Sequence, residues 1–77
     1  MNATDVAVKL NEWFPMAKWE ASEDRGYCCV WATLPRTTGR LGSYVVSYEA
    51  TERVARCRTW ERALYAAKKW AWNEYRK

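Results

Sequence analysis

"MAKWEASEDRGYCCVWATLP", residues 16–35, is the stretch on which the fold turns. "MAKWEAS" alternates apolar and polar side chains as a half-buried strand does, and "EDRG" supplies the acidic, glycine-terminated punctuation of a hairpin turn. "YCCVWATL" follows, rich in β-branched and aromatic residues that favour an extended chain, and Pro35 ends it. Successive side chains on a strand point to opposite faces. The even positions Cys28, Val30, Ala32 and Leu34 are uniformly small and apolar, a core face, whereas Tyr27, Cys29, Trp31 and Thr33 mix aromatic with polar.

Working outward, "NATDVAVKLNEWFP" (2–15) reads as an amphipathic helix. Val6, Leu10, Trp13 and Phe14 recur at helical spacing, Asn2 or Thr4 can cap the start, and Pro15 stops it. Downstream, "PRTTGRLGS" (35–43) has two glycines, a proline and no periodicity, and is expected to be a basic, exposed loop. "YVVSYEA" (44–50) returns to strand composition, "TERV" (51–54) can turn, and "ARCRT" (55–59) can add a short last strand. "TWERALYAAKKWAWNEYRK" (59–77) is strongly helical, with Thr59 placed to cap it. The order is helix, hairpin, one or two further strands, helix. It predicts an α+β fold in a single domain spanning residues 1–77: an antiparallel three- or four-stranded sheet with an N-terminal and a C-terminal helix.

A chain of 77 residues with 49% apolar residues and a net charge of only +4 lies inside the globular range. Cys28, Cys29 and Cys57 are odd in number, two of them adjacent, a poor disulfide framework, and they read as small buried thiols. There is no histidine to complete a four-ligand zinc site, so neither a metal nor another cofactor is expected. The sequence shows neither a charged-then-apolar leader nor a run of about 18 apolar residues, which argues for a cytoplasmic protein rather than a secreted or membrane-inserted one. A thiol nucleophile would lack a histidine base, and Glu23 with Asp24 or Glu49 with Glu52 fall where turns are expected, so the reading is of a non-enzyme.

Charge is polarised along the chain. Residues 1–24 set Lys9 and Lys18 against Asp5, Glu12, Glu20, Glu23 and Asp24. Residues 53–77 set eight basic residues against Glu61 and Glu74. The closing helix carries half of that excess, and it carries more aromatic surface than one buried stripe uses. At 100° per residue, Trp60, Ala63, Leu64, Ala67 and Ala71 form the core stripe, flanked by Trp70 and Tyr75. Arg62, Tyr65, Lys69, Trp72 and Arg76 line up on the opposite side. Lys and Arg neutralise phosphates while Trp and Tyr stack on unpaired bases, so this line suits a nucleic acid. The plainer alternative is that Trp72 and Tyr65 cover a hydrophobic edge within an ordinary solvated face.

Two further surfaces are candidates. If Arg56 and Arg58 face outward on a strand beside Tyr27 and Trp31, the sheet presents rings next to guanidinium groups, as sheet-based RNA readers do. If the first helix covers that side, the same rings form a second core layer. The covered arrangement is favoured, because Val6, Leu10, Trp13 and Phe14 need a surface to pack on. The segment Arg36 to Arg40 offers two guanidiniums, hydroxyls and backbone N–H groups to a phosphate.

The element order resembles that of double-stranded RNA-binding domains, and its strands-then-helix part is similar to the arm-binding domains of phage integrases. Small size with surplus Trp, Tyr and Arg also resembles, in style, the inhibitors that phages direct against host machinery, including anti-CRISPR proteins. The basic and aromatic residues themselves point to a binding protein whose partner is nucleic acid or an acidic protein or nucleoprotein surface, and the same aromatic surplus allows a homodimer burying Trp72 and Tyr65.

Overall fold

In the computed structural model, which describes residues 1–41 and 44–75 and the side chains of all of these except 37–41 and 44–47, the first helix starts at a capping box. Asp5 N–H donates to Asn2 Oδ1 at 2.9 Å, and Asn2 N–H donates to Asp5 Oδ2 at 3.3 Å. Two of the N–H groups that a helix start leaves unpaired are thereby satisfied. The helix, α1 (Ala3–Trp13), ends ahead of Pro15, and Phe14 N–H closes it by donating to Leu10 O at 2.8 Å. Val6, Leu10 and Phe14 are buried.

Three strands follow, β1 (Lys18–Asp24), β2 (Tyr27–Leu41) and β3 (Tyr44–Cys57), paired antiparallel in the order β1-β2-β3. Arg25 and Gly26 join the first two, both at positive φ (52° and 81°), the pattern of a type I′ turn, whose twist matches that of the flanking strands. The second hairpin differs from expectation. Residues 35–41, read as a loop, continue β2 beyond the end of β1. β3 runs unbroken through "TERV" and "ARC", so the sheet has three strands, not four. Gly42 and Ser43, the rest of the expected loop, lie outside the described residues.

Backbone geometry explains why Pro35 does not end β2. Trp19 turns its N–H and C=O away from β2, because both are bonded to Asn11: Trp19 N–H donates to Oδ1 and Nδ2 donates to Trp19 O, each at 3.3 Å. Its partner Ala32 therefore faces β3, and by alternation Thr33 and Pro35 face the β1 side. β1 pairs no further along than Thr33, so the N–H that proline lacks falls on an open edge. "TERV" holds a bulge rather than a turn. Val30 pairs with Ala55 and Trp31 with Arg53, which leaves Val54 as the extra residue.

The last helix, α2 (Trp60–Tyr75), is capped by Thr59. Arg62 N–H donates to its Oγ1 at 3.3 Å and Ala63 N–H to its carbonyl at 3.0 Å. Ala63, Ala67 and Ala71 are fully buried, and their small side chains let α2 approach β3 and β2 closely. α1 lies against β1 on that same face, so Val6, Leu10 and Phe14 share one core with Cys28, Val30, Ala32 and Leu34. Trp19 ties the layers together: its Nε1 donates to Phe14 O at 2.9 Å, and its ring meets Trp70 edge-on at 5.9 Å. Phe14 in turn stacks on Tyr75 at 6.2 Å.

This corrects the expectation that α1 would cover the face bearing Tyr27 and Trp31. Both helices pack their buried residues on one side, and among the described residues no helix packs on the reverse of the sheet. Among the described residues no helix is long and apolar enough to cross a membrane.

Candidate nucleic-acid interface

With the alanine stripe of α2 turned to the sheet, the opposite side of the helix faces solvent. Tyr65 is 69% exposed and Trp72 57%, and Arg62 and Lys69 are exposed beside them. Tyr65 and Trp72 are seven residues apart, two helical turns, so they stand one above the other roughly 10 Å apart along the axis. Between them Lys68 and Lys69 complete a shallow cleft of about 260 Å³. Lys68 was not among the residues singled out from sequence. It lies on the margin of the line, where helical periodicity alone does not separate a cleft wall from a flank.

A second residue of this surface, which the sequence reading assigns to the core, stands on α1. Trp13 was expected in the buried stripe, but the structure leaves it 43% exposed. Lys9 Nζ lies 5.7 Å and Lys68 Nζ 5.0 Å from its ring centroid, within cation–π range. Lys68 thus belongs to both the Trp13 site and the α2 cleft. Among the described residues no carboxylate pairs with Lys9, Arg62, Lys68 or Lys69, so their charge is available to an anion.

The remaining candidates separate. Arg56 and Arg58 belong to the uncovered side of the sheet, where their guanidinium carbons lie 4.0 and 5.3 Å from the Tyr27 ring centroid. Trp31 is half-buried on that side, and Arg53 is its cross-strand partner. Arg36 points to the helix side and is spoken for: its Nη1 donates to Glu74 Oε1 at 3.1 Å, and Nη2 lies 3.9 Å from Glu52 Oε2. It clamps α2 to the sheet rather than presenting a free cation. The Arg40 side chain and Arg76 lie outside the described residues.

Cys28, Cys29 and Cys57 are free thiols. Burial pushes the Cys28 thiol above its ordinary range, reinforced by the nearby Glu23 carboxylate, which suits a core residue rather than a nucleophile. A larger groove of about 690 Å³ runs from α1 past β1 to Trp31 of β2 and Thr51 of β3, and its lining includes a single ionisable side chain, Glu20. Among the described residues no three His, Cys, Asp or Glu side chains converge on a metal position. Compared with protein-family models, curated proteins and solved structures, the chain matches none of them.

Proposed function

We propose that this protein is a small, non-catalytic nucleic-acid-binding module whose contact surface is the outer side of α2. The observation that carries the reading is the cleft in which exposed Tyr65 and Trp72 alternate with Lys68 and Lys69. Exposed rings of this size on a small domain cost solubility and add nothing to the core, while cations lacking carboxylate partners favour an anionic ligand. Phosphates and bases together satisfy both features. The test is titration of a labelled oligonucleotide at two salt concentrations with the intact protein and with Trp72→Ala and Tyr65→Ala. Micromolar or tighter binding that weakens steeply with salt, and that either substitution impairs, supports the reading. No binding at low salt eliminates it.

A second reading rests on the reverse of the sheet, where Arg56 packs at 4.0 Å on Tyr27 beside half-buried Trp31. Tyr, Trp and Arg are the residue types that anchor protein interfaces, and an acidic protein or nucleoprotein surface fits this face, as in an inhibitor of host machinery. A partner captured through nuclease treatment and high salt, and lost on Tyr27→Ala, favours it. Capture that vanishes under nuclease counts against it.

A further inference from the structure

The α2 cleft does not end at α2. Lys68 forms one of its walls and also sits at 5.0 Å over Trp13, so the platform continues across the helix pair onto α1, where Lys9 Nζ lies 5.7 Å from the same ring. Three partly exposed rings, Trp13, Tyr65 and Trp72, are thus interleaved with the four cations Lys9, Arg62, Lys68 and Lys69 on one side of the molecule. Building on the nucleic-acid reading, we infer that the ligand is single-stranded and that Trp13 is one of the residues on which its bases stack.

The argument is one of access. In a duplex each base hides its faces against its neighbours, so a protein surface meets only phosphates, sugars and base edges, and rings standing on the outside of a helix pair have nothing to stack on. An unpaired strand exposes base faces, and aromatic side chains bind them with little regard to sequence. A duplex would use the cations and leave the three rings idle. A single strand uses both. The ammonium groups near Trp13 are no obstacle. At 5.0 and 5.7 Å from the centroid they ride on flexible four-carbon stems and can swing to the phosphates as a base takes the ring face.

The experiment compares a short fluorescein-labelled single-stranded DNA, the RNA of the same sequence and the corresponding blunt duplex, each titrated at low salt with the full chain and with Trp13→Ala. The expected result is a preference for either single strand over the duplex of about tenfold or more. Trp13→Ala should weaken single-strand binding about 5- to 160-fold, as loss of one stacking partner does. Its effect on the duplex should be slight, and Trp13→Phe should recover most of the loss. Equal or tighter duplex binding overturns the inference while leaving the nucleic-acid reading in place. A single-strand preference untouched by Trp13→Ala overturns the role given to Trp13. Failure of every oligonucleotide to bind removes the underlying reading, and this inference with it. The strand-versus-duplex comparison uses the unaltered protein, so it decides the matter even if Trp13→Ala unfolds.

Discussion

Arg25 occupies the left-handed region at φ 52°, beside Gly26 at φ 81°. A Cβ at Gly26 would meet nothing within 4 Å, so the penalty for Gly26→Ala is purely one of backbone conformation, about 1 to 2 kcal/mol. Arg25 already bears such a penalty, and Arg25→Asn, which supplies the Asn-Gly pair that type I′ turns prefer, is expected to stabilise the fold by up to about 1 kcal/mol. Urea midpoints that move in opposite directions for the two variants check this; an unchanged midpoint for both refutes the turn assignment. Burial also raises two acids above their ordinary values: Cys28, with Glu23 adding to the effect, and Tyr75, with Glu74 adding to it and Arg36 opposing. Each holds its proton more tightly folded than unfolded, so its contribution is fully present below the ordinary values of 9.0 and 10.0 and is lost as pH rises past them. Stability should therefore be flat near neutrality and decline above about pH 9. The Tyr75 hydroxyl is buried without a hydrogen-bond partner, so Tyr75→Phe is predicted to be neutral or stabilising by up to about 1 kcal/mol and to flatten the alkaline decline. A marked loss of stability in that variant would show that the hydroxyl is in fact bonded.

At the level of elements, the three alanines of α2 set its distance from the sheet. Ala67 is fully buried at the centre of that stripe, and Ala67→Leu is predicted to cost about 1 to 3 kcal/mol by overpacking, read as a lower melting temperature. An unchanged melting temperature would mean that α2 is not held close. Both helices, the first hairpin and the helix-facing positions of β2 were legible because each rests on a local signal: a cap residue, a glycine at the turn, or a period of two or nearly four. What escaped depended on neighbours. Pro35 reads as a stop, and whether its missing N–H matters is decided by where β1 ends, which no property of residues 35–41 reveals. "TERV" carries turn-like polarity because a bulge, like a turn, interrupts the alternation. Trp13 was misplaced for a geometric reason. Val6, Leu10 and Phe14 step by four, drifting about 40° each time, so the buried line winds away from Trp13 and leaves it at the margin. Tyr65 and Trp72, by contrast, lie opposite the middle of the alanine stripe, where small drifts do not change the side they occupy.

Across the whole molecule, cationic groups are displayed on two opposite sides, and the screening length determines whether they act together. Even the thinnest dimension of the molecule, 17 Å, exceeds the Debye length of about 10 Å at 0.1 M salt, so the guanidiniums of the uncovered sheet contribute little to an anion held on α2. A strand bound across the helices would meet Lys9, Arg62, Lys68 and Lys69. Four phosphate contacts on a single strand give a slope of log affinity against log salt of about −3, a loss of about 50-fold between 50 and 200 mM. Lys68→Gln with Lys69→Gln should reduce the magnitude of that slope by about 1.4. Arg56→Gln with Arg58→Gln, which removes as much charge, should leave the slope where it was and change only an interaction made by the sheet. Placing equal charge changes on the two sides separates local contact from the general attraction of a basic protein, because a general effect responds to net charge and not to position. Equal slopes for the two double variants would mean that phosphates are not held on α2. A slope lowered only by the sheet substitutions would move the contact to the surface around Tyr27.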